Sequence, residues 1–72
     1  MDIQVFLNGL DKLFAKKAID EVEPFLNESM ENAKKENDKS AQFTILNEMM
    51  GFFRDTSQYD KSIKACNQCL SL

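Results

Sequence analysis

The chain carries an internal duplication, and no other feature constrains its fold as strongly. A shift of about 40 residues aligns seven apolar positions of the first half with seven of the second. The aligned pairs are Ile3 with Phe43, Phe6 with Leu46, Leu10 with Met50, Leu13 with Phe53, Ile19 with Tyr59, Leu26 with Cys66 and Met30 with Leu70. Periods of about 20–50 residues are typical of proteins built from stacked units. The sequence therefore predicts two equivalent units.

Each unit contains two segments in which apolar residues recur at spacings of three and four, the pattern of one helix face. The segments lie at about residues 2–15, 19–33, 43–53 and 59–70, and the polar runs NDKS (37–40) and DTSQ (55–58) separate them. With only two glycines and one proline, turn-forming residues are too scarce for a many-stranded fold. We therefore expect an all-α protein of four helices.

The ends of these helices carry recognisable signals. Asp2 is predicted to cap the first helix, Asp38 or Ser40 the third, and Ser57 the fourth. Pro24 interrupts the second pattern, so it lies in the first turns of that helix or kinks it. Short links make sequential helices antiparallel. Four such helices either close into one bundle or stack as two hairpins, and periodicity alone leaves both arrangements open.

The run LNEMMGFFRDTSQYDKSIKACNQCLSL (46–72) resembles a tetratricopeptide repeat (TPR). Leu46 takes a bulky position of the first helix, Met49 and Met50 take its Leu-Gly pair, and Phe53 takes its aromatic position. Ser57 takes the turn glycine and Tyr59 the second aromatic position, while Ser62 and Cys69 take the two small positions. The runs IDEVEPFLNES (19–29) and LNEMMGFFR (46–54) are similar to the extended repeats of kinesin light chains. The chain departs from the family at Gly9, where a large apolar residue is usual, at Val22 in a small position, and at Ser57, which replaces the turn glycine. A period near 40 also fits HEAT-type repeats.

The resemblance implies two antiparallel helical hairpins, stacked as a fragment of a TPR-like right-handed α-solenoid. The first repeat would span about residues 2–38 and the second about 40–72, as the N-terminal part of a longer array. In such arrays the first helix of each hairpin lines a concave groove that binds proteins or peptides. The resemblance thus implies a non-catalytic protein-binding scaffold with groove candidates Gln4, Leu7, Asp11, Phe14, Thr44, Asn47, Gly51, Arg54 and Asp55.

The candidates differ in what they can do. The Asn47 amide offers a donor and an acceptor to a peptide backbone, or it is simply solvated. Arg54 either clamps a carboxylate or is neutralised by a nearby aspartate. Leu7 and Phe14 are hydrophobic anchors or, as we expect, core. The Lys and Asn with which some TPR domains grip a C-terminal carboxylate are replaced by Leu7 and Asp11, so that ligand is not predicted.

A second function is self-assembly. Stacked repeats need about three units and a polar capping helix. The chain finishes Leu70-Ser71-Leu72 without a polar cap. We therefore also expect a capping or assembly module that oligomerises, as a homodimer, through its last hairpin.

Charge and composition argue against other functions. The net charge is −3 without a basic stripe, which excludes nucleic acid and membrane surfaces as predicted partners. With no histidine and two cysteines, we predict no metal site, no cofactor and no enzymatic activity. Cys66 and Cys69 form a C-x-x-C motif late in a helix, where we expect packing rather than redox chemistry. The first residues lack the basic leader and long apolar run of a signal peptide, so we predict a cytoplasmic protein.

Overall fold

The computed structural model describes all 72 residues and consists of four α-helices without a strand. These are α1 (Ile3–Ala15), α2 (Ile19–Lys35), α3 (Lys39–Asp55) and α4 (Tyr59–Leu70). Helices that follow one another in the chain pack against each other. The all-α fold with four helices that the apolar spacing predicts is confirmed.

One turn geometry is used three times to connect the helices. Lys17, Asn37 and Ser57, each 20 residues after the last, have φ angles of 58°, 53° and 61°. In each link the next amide N–H bonds a carbonyl five residues back, as Gln58 does to Phe53 at 2.6 Å. This is the hydrogen-bond pattern of a Schellman motif, which satisfies the last carbonyls of a helix. The break between the two halves is therefore the same structure as the turns within them.

The helix N-termini confirm two predicted caps and correct a third. The Asp2 carboxylate accepts hydrogen bonds from the amides of the first turn of α1. Of the two candidates for α3, Asp38 is the cap, with its Oδ1 3.0 Å from the Ala41 amide nitrogen. The prediction that Ser57 caps α4 is wrong, because Ser57 holds the left-handed position of the preceding turn. Gln58 takes the cap position of α4, and its side chain makes no capping bond.

Asp38 is held in its charged form by two donors. The Ala41 amide N–H and then the Met1 amino group, whose nitrogen lies 3.2 Å from Oδ2, lower the pKa of the Asp38 carboxyl below its usual value of 3.8. Because the folded pKa lies below the unfolded one, Asp38 stabilises the fold above pH 3.8, and this contribution is lost as the pH falls through the folded pKa. Asp38 thus couples the start of α3 to the start of the chain in a pH-dependent way.

We expect Asp38→Asn to flatten the acid limb of the stability profile. Asparagine keeps the capping oxygen but removes the charge, so the melting temperature of the variant should fall less than that of the wild type between about pH 5 and pH 1. Circular dichroism melts across this range measure the difference. Glu28→Gln, which replaces an exposed carboxylate in the middle of α2, is the control and should lose stability with falling pH as the wild type does. Parallel profiles for wild type and Asp38→Asn would contradict the assignment.

The core lies around α3, which has neighbours on several sides. α3 supplies seven of the fifteen buried residues, Ala41, Gln42, Ile45, Leu46, Met49, Phe52 and Phe53. It packs against both α2 and α4. The rings of Phe14 and Phe52, with centroids 6.3 Å apart, connect it to α1. The wide apolar arc of this segment is therefore explained by burial between neighbouring helices.

Pro24 lies in the second turn of α2 and is exposed. Proline has no N–H, so the helix lacks the bond to the carbonyl four residues earlier. That carbonyl belongs to Asp20, which is also exposed, so water can satisfy it. The helix continues through this position to Lys35.

Candidate functional site

A depression of about 410 Å³ lies between α1 and α3 and brings together three of the predicted groove residues, Phe14, Gly51 and Asp55. We call it the α1–α3 depression. Its complete lining is Leu10, Phe14, Ile19, Glu48, Gly51, Phe52, Asp55 and Thr56. Pockets of about 300–1,000 Å³ are typical of ligand sites. The volume is sufficient for one or two apolar side chains of a partner.

Four of the eight residues that line the α1–α3 depression are apolar. Leu10 and Phe52 are buried and contribute to its lining. Phe14 and Ile19 are both more than two-fifths exposed, so their side chains offer apolar surface to a partner. Gly51 leaves space open in α3, because a Cβ built on it has no atom within 4 Å. A partner side chain can therefore contact α3 directly beside the two phenylalanines.

Acidic groups border this apolar surface. Glu48 and Asp55 lie in the lining and are exposed to solvent. Arg54 Nε is 3.9 Å from Asp55 Oδ1, and both side chains are more than two-thirds exposed. Exposed pairs at such a distance contribute little. The depression thus has a negative border that Arg54 only weakly offsets, which favours a cationic group on the ligand.

The other predicted residues lie along α1 and α3 outside the depression. Three of them use their side chains locally: Gln4 Nε2 donates to Asn8 Oδ1, Thr44 Oγ1 to the Ser40 carbonyl, and Asn47 Nδ2 to the Phe43 carbonyl at 3.0 Å. Asn47 is exposed and its Oδ1 accepts no hydrogen bond, so it can still accept one from a ligand. Its role in binding stays a prediction.

The two remaining α1 candidates differ in exposure. Leu7 is half-buried against the core, as expected. Asp11 is exposed and makes no ion pair with Arg54. For Phe14 the expectation of a core position is wrong, because its side chain is 42% exposed and therefore available as an anchor.

Five lining residues were not among the sequence-based candidates: Leu10, Ile19, Glu48, Phe52 and Thr56. Glu48 had a usable signal, since it precedes Gly51 by three and Asp55 by seven residues and so shares their helix face. Ile19 had no such sequence signal, because it begins a different helix. It lies at the depression only because the turn around Lys17 brings the start of α2 there. Spatial proximity of this kind depends on the tertiary structure.

The two cysteines differ in their surroundings. Cys69 is half-buried and packs against the core, which confirms the expectation of packing. For Cys66 that expectation is wrong, because its thiol is exposed on the outer face of α4. Both thiols are free, and no three His, Cys, Asp or Glu side chains are placed to hold a metal ion.

No protein-family model, curated protein or solved structure matches the chain. None of its four helices has both the length and the apolar character that crossing a membrane requires.

Proposed function

We propose that the chain is a non-catalytic protein-binding scaffold of tetratricopeptide type that receives an apolar side chain of a peptide in the α1–α3 depression. The observation that carries this proposal is the juxtaposition of exposed Phe14 with the open space at Gly51 and the acidic Asp55. An apolar recess with a charged border supplies both an anchor and orientation for a peptide.

The chemistry of the recess defines the class of ligand. Phe14, Ile19 and Phe52 suit an aliphatic or aromatic side chain, since their burial would remove further apolar surface from water. Glu48 and Asp55 suit a lysine or arginine next to that side chain. The ligand is therefore an extended or helical peptide in which an apolar residue is flanked by basic residues.

The regular turns support the stacked arrangement in this proposal. Lys17 and Ser57, which are 40 residues apart, occupy the same left-handed position in their turns. Equivalent connections are what a row of equivalent hairpins requires. We include in the proposal that the two hairpins form part of a right-handed α-solenoid, with α1 and α3 on its binding side.

We expect Gly51→Leu to weaken peptide binding strongly without destabilising the fold. The new side chain fills the depression, and leucine is favoured over glycine in a helix by about 1 kcal/mol. The probes are two synthetic peptides with a central Leu-Phe pair, one flanked by lysines and one by glutamates. Fluorescence anisotropy should show binding of the lysine peptide only, and the variant should weaken it at least about tenfold.

Two alanine variants serve as controls. Gly51→Ala adds one methyl group to open space, so it should raise stability by up to about 1 kcal/mol and retain binding. Gly9→Ala has the same chemistry, but its Cβ would lie 2.9 Å from Phe25 Cζ, and that ring stacks on Phe6. Its helix-propensity gain should therefore be offset by the displaced ring. Equal binding of the lysine peptide by wild type and Gly51→Leu would refute the proposed site.

A further inference from the structure

A groove runs between α2 and α4, with α3 as its floor. Two cavities of about 340 Å³ and 160 Å³ lie along it, and Gln68 lines both of them. The floor residues follow one another along α3 at spacings of four, three and four, and they are Gln42, Leu46, Met49 and Phe53. We call this the α2–α4 groove. It shares no residue with the α1–α3 depression.

A buried polar side chain lies in the floor at one end of the α2–α4 groove. Gln42 is 8% exposed, and its backbone N–H donates to the Asp38 carbonyl, but its side-chain amide is bonded to no other group. The protein contains no sealed polar side-chain atom without a partner, so this amide still meets solvent, and it lines the larger cavity. A buried amide without a partner is energetically costly. The cavity therefore presents a polar group that a ligand can satisfy.

The chemistry of that amide selects the kind of ligand group. A glutamine amide offers N–H donors and a carbonyl acceptor side by side. A simple anion can pair only with the N–H groups, because it has no hydrogen to donate. A peptide group has both an N–H and a carbonyl, so it can pair with both sides of the Gln42 amide. Gln42 thus favours a peptide over a free anion.

The charges along the groove select the sign of the ligand. Lys34 lines the larger cavity, and Lys61, Lys64 and Glu23 line the smaller one. Glu23 is the only acidic residue in either lining, and its Oε2 lies 2.8 Å from Lys61 Nζ. Lys34 and Lys64 make no ion pair. The groove therefore has an excess of positive charge on a chain whose net charge is −3, and this complements an acidic ligand.

The dimensions of the groove limit the ligand further. From Gln42 to Phe53 the floor rises by about 16 Å along the α3 axis. An extended chain of about five residues has this length. The Lys61–Glu23 ion pair joins α4 to α2 across the groove, so side chains beside it must be small.

We propose that the α2–α4 groove binds an extended acidic peptide of about five residues, with small side chains between its carboxylates. A peptide group of the ligand pairs with the Gln42 amide, and its carboxylates pair with Lys34 and Lys64. The glutamate-flanked Leu-Phe peptide stays unbound, because its bulky pair does not fit beside the Lys61–Glu23 ion pair. The α1–α3 depression and the α2–α4 groove thus select peptides of opposite charge.

Fluorescence anisotropy with a dye-labelled acetyl-Glu-Ala-Glu-Ala-Glu amide tests the groove. In an extended chain the alanines lie on one side and the carboxylates on the other, so the alanines can face the floor. The wild type should bind this peptide, more weakly at higher salt, and should not bind the Lys-Ala-Lys-Ala-Lys analogue. Unlabelled peptide should displace the probe, whereas the dicarboxylate glutarate should not at the same concentration.

Two variants locate the binding. Gln42→Leu keeps a side chain of similar size in the buried position but removes the amide, so it should weaken the acidic peptide at least about tenfold while thermal melts show a folded protein. Lys34→Gln removes a surface charge and should weaken it at least about threefold. Lys35→Gln is the matched control, because Lys35 is the exposed neighbour of Lys34 and lines neither cavity.

Four results would each overturn the proposal: no binding of the acidic peptide, unchanged binding by Gln42→Leu, equal effects of Lys34→Gln and Lys35→Gln, or equal displacement by glutarate. The last result would reduce the groove to a general anion site. Gly51→Leu should retain the acidic peptide while it loses affinity for the lysine peptide, and Gln42→Leu should do the reverse. This pair of variants separates the groove from the α1–α3 depression.

Discussion

Leu46→Ala is expected to unfold a large fraction of the protein at room temperature. Leu46 is 0% exposed and lies in the core between the helices that flank α3. Removing a fully buried leucine side chain costs about 2–5 kcal/mol, through lost burial and the cavity left behind. A chain of this size seldom has more than about 3–5 kcal/mol of stability. Urea denaturation followed by circular dichroism should show a transition shifted almost to zero denaturant.

Asn47→Ala is the matched control, because it changes the next residue of the same helix. Asn47 is exposed and its only hydrogen bond is to a carbonyl of its own helix. Since alanine is the better helix former, the variant should retain the wild-type midpoint. A loss below about 1 kcal/mol in Leu46→Ala would mean that the packing around α3 is looser than described.

The double change Lys17→Gly and Ser57→Gly is expected to raise stability by about 2 kcal/mol. Both residues hold the left-handed conformation at the end of a helix, which costs a residue with a Cβ roughly 1–2 kcal/mol. Glycine adopts this conformation freely but loses more backbone entropy on folding, so about 1 kcal/mol remains at each site. Asn37 has the same geometry and is left unchanged, because asparagine tolerates it. Thermal and urea denaturation measure the gain.

Lys16→Gly provides the comparison for this prediction. Lys16 is the neighbour of Lys17 but has a right-handed φ of −81°, so glycine relieves nothing there. It should lower stability by about 0.5–1 kcal/mol through backbone entropy alone. Gains at both positions, or losses at both, would show that the effect does not come from the left-handed turn.

The positions of the turns can be predicted from the sequence, but the role of each residue within a turn cannot. The polar breaks were correctly located because a helix must end where its apolar spacing ends. The resemblance aligns Ser57 with a turn glycine, and its place in the polar break also predicts it as a helix cap. The structure shows that only the turn position is right, because a left-handed φ of 61° is incompatible with the extended backbone of a cap.

The sequence by itself determined the four helices and the cap at Asp2. These depend on hydrogen bonds and side-chain spacings within a few residues, which local sequence encodes. Only the tertiary structure decided which apolar residues are buried. Leu26 and Cys66 are equivalent in the duplication, yet the first is covered by α3 and the second faces solvent. Burial is set by helices that are distant in the chain, so the α1–α3 depression and the exposed face of α4 emerge only when the helices pack.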